Sequence, residues 1–268
     1  MIEFVDTHCH IHFSDYELDT GEVIAAAQAD GVTRMLCVGC TLADSKLSVQ
    51  MAAQYGSVWA SIGLHPHEAK QYVGDDKALQ EFHALASKPK VVAIGEIGLD
   101  YYYSHSDRDD QIALLRFQLT VAQEHGLPVI FHVRGSKESG GKDVWEDFWS
   151  IYDEFDQTSK IRGVIHSFSA GTEELTEILK RDLFVGLNGI MTFSKDPEQL
   201  AAAKQVPLYK IVVETDAPFL TPTPFRGTIC QPKHVAVTAA FLSELRGEPL
   251  EDFAEVTTQN AKGLFNLV

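Results

Sequence analysis

Long apolar runs are missing from this 268-residue chain. None approaches the roughly 20 residues needed to cross a bilayer as a helix, so a membrane-spanning helix is excluded and no membrane association is expected. Basic residues are scarce, with 22 Lys and Arg against 38 Asp and Glu and a formal charge of −16. That balance excludes a broad cationic surface for gripping nucleic acid. A nucleic-acid substrate would have to be held locally, by metal ions and a few cations at one terminus. Cysteine is limited to four residues. Cys37 and Cys40 have zinc-knuckle spacing but no second such pair exists, so they read as small packing residues in a reducing compartment. The start, Met1 to Asp6, lacks a basic stretch followed by an apolar core, so no signal peptide and a cytoplasmic location are expected. Internal repeats and low-complexity stretches are absent as well.

What is present is a regular alternation. Short apolar runs suited to strands fall at 4–8, 34–38, 58–64, 91–97, 128–133, 163–168, 183–187 and 210–215. Between them lie helical patterns with recognisable ends: Asp19 or Thr20 to Asp30 before Gly31, Leu42 to Tyr55 before Gly56, and Asp107 to His125 before Gly126. Further helices are predicted at 142–155, 172–181, 197–204 and 234–246, with a weaker one at 75–86. Eight such units without a composition break predict an α/β fold, a (β/α)8 TIM barrel spanning 1–268 as a single domain. The residues from Leu250 to Asn266 form an extra C-terminal helix. A doubly wound open sheet is the competing fold, but it would concentrate its site at one switch point.

Chemistry-bearing side chains sit where those strands end. His8 and His10 close the first, Glu96 the fourth, His132 the fifth, His166 the sixth and Asp216 the eighth. In a barrel of this class the active site is assembled at the carboxyl ends of the strands. His8 and His10 are two apart, so both rings project to one side of the strand, whereas Cys9 faces away. Four imidazoles and two carboxylates exceed the needs of one four- or five-coordinate ion, which predicts two divalent ions with Glu96 as the bridge. Such a pair activates water and stabilises the attacking and departing oxygens. Asp216 is then placed to orient the water or accept its proton, so Asp216 and Glu96 are the catalytic candidates.

Here the motifs become specific. Asp6-Thr7-His8-Cys9-His10, Gly63-Leu64-His65-Pro66-His67, Gly95-Glu96-Ile97-Gly98-Leu99-Asp100-Tyr101-Tyr102 and Glu214-Thr215-Asp216-Ala217-Pro218 appear in order. Phe131-His132-Val133-Arg134, His166-Ser167-Phe168 and Asn260-Ala261-Lys262-Gly263-Leu264-Phe265 accompany them. Together they resemble the TatD family of metal-dependent deoxyribonucleases along essentially the whole chain. The resemblance implies that His8, His10, Glu96, His132, His166 and Asp216 hold two divalent ions in a TIM barrel. It also implies phosphodiester hydrolysis of DNA, as a 3′–5′ exonuclease acting on DNA ends or single-stranded DNA.

Two positions depart from the family pattern. His12 stands where an acid is common, and reads as a loop residue supporting the site or as a spare ligand. The stretch Arg226-Gly227-Thr228-Ile229-Cys230-Gln231-Pro232 lacks the family's usual cations, in keeping with the acidic net charge. Outside the ligands, His67 and Arg134 are the expected phosphate contacts, with His65 as a third or as a turn-packing residue. Tyr101, Tyr102 and Tyr103 form a lid or a stacking platform. Glu214 and Asp6 are expected to orient histidines, and Arg226 is a substrate contact or a loop anchor. The nitrogen-rich donor set suits zinc, manganese, iron or cobalt, while the resemblance implies magnesium or manganese. The alternative activity on the same barrel is metal-dependent ester or amide hydrolysis, such as deacylation of aminoacyl-tRNA. A binding protein on a retired barrel should have lost a ligand, and none is lost. No obligate protein partner is expected.

Overall fold

The computed structural model describes residues 2–103, 105–135 and 143–268. Its strands are β1 (Phe4–Cys9), β2 (Val32–Val38), β3 (Val58–Ile62), β4 (Val91–Asp100), β5 (Val129–Arg134), β6 (Gly163–Ile165), β7 (Phe184–Leu187) and β8 (Ile211–Val213). The helices between and after them are α1 (Thr20–Ala29), α2 (Leu42–Gln54), α3 (Ala69–Tyr72), α4 (Asp76–Leu85) and α5 (Arg108–His125). They continue with α6 (Val144–Asp156), α7 (Thr172–Lys180), α8 (Pro197–Gln205), α9 (Val235–Arg246) and α10 (Leu250–Phe265). The strands follow one another in chain order within one eight-stranded sheet. At its ends β1 lies beside β8, through a parallel bridge between Cys9 and Ala217 and an Asp216 N–H donating to His8 O at 2.8 Å. This is the (β/α)8 class expected from the alternation.

Strands covered by helices should read as apolar runs rather than alternating ones, because both faces are buried. Accordingly β1, β3, β6 and β8 are buried at every position, and β4 at all but Val92. Helix ends follow local chemistry. The Asp19 carboxylate accepts from Glu22 N at 2.9 Å to open α1. Gly126 (φ 63°) and Gly247 (φ 70°) close α5 and α9 in the left-handed region that glycine tolerates. No helix among the described residues is long and apolar enough to cross a membrane.

Two compact units divide the chain. The first comprises Met1–Cys37, Tyr55–Trp59 and Ile165–Val268. Its core holds Val5, Ile24, Met35, Val185, Val212, Leu242, Phe253 and Phe265. There α10 is tied to the strands' starting ends: Thr258 Oγ1 donates to Glu3 O, and Asn260 Nδ2 donates to Leu208 O and Ile211 O. The second comprises Val38–Gln54 and Ala60–Val164. Its core holds Ile62, Leu64, Ile94, Ile97 and Phe82, with Phe131 edge-on to Phe148 and Tyr152.

Two buried glutamines, two turns apart on α5, set the backbone beneath the second unit's chemistry. Gln118 accepts from Leu64 N at 2.8 Å and donates to Leu64 O at 3.0 Å. Gln111 repeats this at Asp100, accepting from its N at 2.8 Å and donating to its O at 3.0 Å. Each thereby satisfies the backbone donor and acceptor of a residue leaving the strand pattern.

Predicted and observed elements agree to within a few residues, with informative exceptions. The fourth strand runs on to Asp100, so Glu96 lies inside it rather than at its end. The sixth and eighth stop at Ile165 and Val213. Soon after, the backbone turns through positive φ at Ser167 (49°) and Asp216 (61°), which a regular strand cannot accommodate. Lys142, the expected start of the sixth helix, lies outside the described residues.

Candidate metal centre

In the first unit, four side chains converge. His8 Nε2 lies 3.1 Å from His10 Nε2. Asp216 Oδ1 sits 3.3 Å from His10 Nε2 and 3.7 Å from His8 Nε2. His166, directly after β6, stacks on His8 with centroids 3.5 Å apart, and its Nε2 is 3.8 Å from the same Asp216 oxygen. Its Nδ1 faces Glu214 Oε1 at 2.9 Å, which fixes the ring and leaves Nε2 toward the cluster. Glu214 also accepts from Ser167 N at 2.6 Å. A Cβ at Gly186 would fall 2.5 Å from Glu214 Oε2, so glycine there makes room for the carboxylate.

Burial raises the Asp216 carboxyl, but the hydrogen bond from His10 and the neighbouring imidazoles outweigh it and hold the group below its ordinary value. Asp6 beneath them is different. Burial pushes its carboxyl up to about 8, against hydrogen bonds from Thr215 and His8. It accepts from Thr215 N, Thr215 Oγ1 and His8 N at 2.9, 2.6 and 3.3 Å, so it secures the backbone that carries His8 and Asp216.

In the second unit, His132 is the hub. Its Nδ1 donates to Glu96 Oε1 at 2.7 Å and its Nε2 to Asp100 Oδ2 at 2.9 Å. Burial lowers its pKa, but these two carboxylates carry it up to about 9. His67 Nε2 donates to the same Asp100 oxygen at 2.9 Å. Asp100 Oδ1 accepts from Tyr102 N and Tyr103 N at 2.9 and 3.1 Å. Burial opposes ionisation of Asp100, yet the histidines and these amides hold its pKa far below the usual carboxylate range.

His65 lies 3.7 Å from Glu96 Oε1 through Nε2, while its Nδ1 accepts from His67 N at 3.2 Å. Burial, reinforced by His132, lowers its pKa, so the ring is neutral with its proton on Nε2. Cys40 Sγ stands 3.7 Å from Glu96 Oε2.

The donor chemistry fits divalent cations. His8, His10 and Asp216 form one set, and His65, Glu96 and His132 another, each with ligand atoms within 4.8 Å of one another. Each offers two imidazoles and a carboxylate, the mixture that zinc, manganese or iron accepts and that magnesium accepts less readily. His132 already has a carboxylate on the nitrogen away from Glu96, the arrangement that orients a metal-bound imidazole.

Within the first unit the expected ligands His8, His10, His166 and Asp216 lie together, and within the second so do Glu96 and His132. Of the expected substrate contacts, His67 is tied to Asp100, and Arg134 lies exposed with its guanidinium 4.1 Å from the Tyr102 ring centre. Tyr101 is anchored through its hydroxyl to Asp147 at 2.8 Å. Arg226 is a loop anchor, donating to Thr221 O at 2.8 Å and lying 3.9 Å over Phe193. His12 is buried beside His10, ring centres 6.1 Å apart, and neither of its nitrogens has a partner among the described residues. Sequence reasoning overlooked Asp100, although it shares strand parity with Glu96. It gave no sign that His65 lies beside Glu96, and no spacing rule would have done so.

The model of the "TatD related DNase" family matches residues 5–266. The chain belongs to the TatD family. The metal-dependent hydrolase YabD of Bacillus subtilis (strain 168) is 35% identical over 262 residues, covering 98% of each chain. The "3'-5' ssDNA/RNA exonuclease TatD" of Citrobacter koseri is 31% identical over 268 residues, again covering 98% of each. Among solved structures, the TatD homologue YJJV of Escherichia coli K12 superposes with a TM-score of 0.88 at 27% identity, covering 99% of this chain and 98% of its own. Like its TatD-family relatives, this chain is a metal-dependent hydrolase.

Proposed function

We propose that this TatD-family hydrolase cleaves phosphodiester bonds at the 3′ ends of single-stranded DNA with two divalent ions, one in each histidine–carboxylate set. The observation that carries this reading is the pair of sets itself, His8, His10 and Asp216 in one unit and Glu96 and His132, with His65 beside them, in the other. A relative with 31% identity bears the name of a 3′–5′ exonuclease on single-stranded DNA and RNA, which supports the choice of substrate. Magnesium, manganese or zinc would serve as the ion, supplying charge neutralisation at phosphorus and activation of water.

The chain's own groups then take defined roles. His8, His10 and Asp216, with His166 beside them, would hold one ion, and Glu96 and His132 would hold the other. Asp216, ionised among three imidazoles, accepts a proton from the attacking water. His65 presents a fixed Nε2–H beside Glu96 Oε1 and donates to a phosphoryl oxygen as charge develops there. Arg134, exposed over Tyr102, and His67 bind the phosphate of the departing or adjoining nucleotide.

The test compares two substrates across magnesium, manganese and zinc: single-stranded DNA labelled at its 5′ end, and an aminoacyl ester of tRNA. Stepwise shortening of the DNA from its 3′ end is expected. Rapid deacylation with intact DNA would overturn the reading in favour of ester hydrolysis.

A further inference from the structure

Phe219 exposes 53% of its surface, although it stands only three residues beyond Asp216. A single exposed phenyl group is ordinary; one carried by a fixed backbone beside a ligand set is less so. Its ring centre lies 6.4 Å from that of His10, at an interplanar angle of 59°. The backbone that carries the ring is itself tied down. Phe219 N donates to Asp216 O at 2.8 Å, and Cys230 N donates to Pro218 O at 3.0 Å. Asp216 and Leu220, on either side, take positive φ of 61° and 54°, a conformation that persists in non-glycine residues only where surroundings enforce it. Gly189 presses against the same segment, since a Cβ there would lie 2.1 Å from Leu220 O.

Other exposed rings are already engaged or elsewhere. Phe225 stacks on His234 at 5.1 Å, and Tyr103 packs beside Arg134. Tyr209, 65% exposed, precedes β8 and so sits at the opposite end of that strand from Phe219.

We propose that Phe219 is a stacking wall for the nucleobase at the 3′ end of the strand, setting the terminal phosphodiester against His8, His10 and Asp216. This rests on the nuclease reading and adds to it a base-holding element. Stacking suits an enzyme with few cations, because every base has a π face and the contact needs no charge. It also suits an exonuclease that must accept all four bases. The phenyl ring supplies no hydrogen-bond readout, so it positions the end without selecting its sequence.

The test uses an oligonucleotide carrying 2-aminopurine as its 3′ base and a cleavage-resistant phosphorothioate at the last linkage, with manganese-loaded protein. Stacking quenches 2-aminopurine. Quenching is expected on binding to the wild type and to Phe219→Trp, and is expected to vanish in Phe219→Ala. In turnover on ordinary DNA, Phe219→Ala should raise KM about ten-fold or more while kcat changes by less than about two-fold. On DNA ending in an abasic residue, wild type and Phe219→Ala should behave alike. Tyr209→Ala should match the wild type throughout.

Quenching that survives in Phe219→Ala, absence of quenching or binding in the wild type, or an equal KM rise on the abasic end would overturn the proposal. The two readings separate cleanly. Phe219-dependent quenching without nucleotide release on ordinary DNA sinks the nuclease reading and keeps the stacking wall. Release that is indifferent to Phe219→Ala does the reverse.

Discussion

Asp100 holds His132 by Nε2 at 2.9 Å, and so turns the other ring nitrogen toward Glu96. The same Asp100 oxygen receives His67, while its second oxygen receives the amides of Tyr102 and Tyr103. One buried carboxylate therefore orients a metal candidate, a phosphate candidate and the tyrosine turn. Replacing such a supporting group typically lowers metal affinity or activity by about 10–100-fold. Asp100→Asn is expected to fall in that range by titration calorimetry with manganese, with the fold kept by circular dichroism. Unchanged affinity would show that His132 does not act as a ligand.

Protons and a metal ion would compete at His132 under the proposed ligation. With both nitrogens donating to carboxylates, the ring is an imidazolium in the metal-free chain, its pKa raised to about 9 by Asp100 and Glu96 against the effect of burial. A histidine raised above its unfolded value near 6.5 gives stability that is fully present below about pH 6.5 and lost as pH rises through about 9. The metal-free protein should therefore lose thermal stability between those limits, and His132→Gln should flatten the slope. Ligation by His132, as proposed, would expel the same proton, so affinity should rise by up to about ten-fold per pH unit toward pH 9. Melting curves with EDTA and calorimetric titrations at stepped pH measure both. A pH-independent metal affinity would rule out proton displacement.

Most of the architecture was legible because its signals are local. Apolar runs, Gly31, Gly56 and Gly126 as stops, and Asp19 as a cap mark the strand–helix alternation directly. The histidines were legible for the same reason: His132 and His166 directly follow apolar runs, and His8 and His10 lie three and five residues beyond Phe4-Val5. Less legible was anything set by distant partners. The reach of β4 to Asp100 depends on Gln111 from α5 and on pairing of Asp100 with Arg134, neither of which lies within one sequence window. His65 joins Glu96 and His132 only because the segment after β3 folds back, with His65 N donating to Cys40 O at 2.8 Å.

Gln111 offers a test of that distant support. It is 2% exposed and satisfies both backbone groups of Asp100 as well as Ser106 O. Gln111→Leu leaves those groups buried without partners, which costs about 1–3 kcal/mol for each one stranded. A lower melting temperature and weaker manganese binding are expected together, since Asp100 carries both the backbone and His132. A loss of stability with full metal affinity would show that Asp100 is held adequately without the helix.

Glu96 is 4% exposed and meets His132, His65 and Cys40. Removing its carboxylate deletes a proposed ligand and leaves His132 with one donor unpaired. Glu96→Ala should lower kcat/KM by at least about a thousand-fold, the scale on which loss of a charge-stabilising group registers. The circular dichroism spectrum should be retained, because β4 is fixed by its pairing with β5 rather than by this side chain. Full turnover in the variant would refute a role for the second set.

His65 separates ligation from donation. Its Nδ1 is occupied by His67 N, so Nε2 carries the proton, and a protonated nitrogen cannot ligate. If it donates to a developing phosphoryl charge, His65→Ala should lower kcat by about 10²–10³-fold, as loss of one oxyanion donor does, with little change in bound metal. His65→Gln restores a donor and should recover part of that loss. Elemental analysis of the purified variants gives the deciding measurement. Metal content falling in step with activity would instead make His65 a ligand, with its proton expelled and the hydrogen bond from His67 N given up or shared.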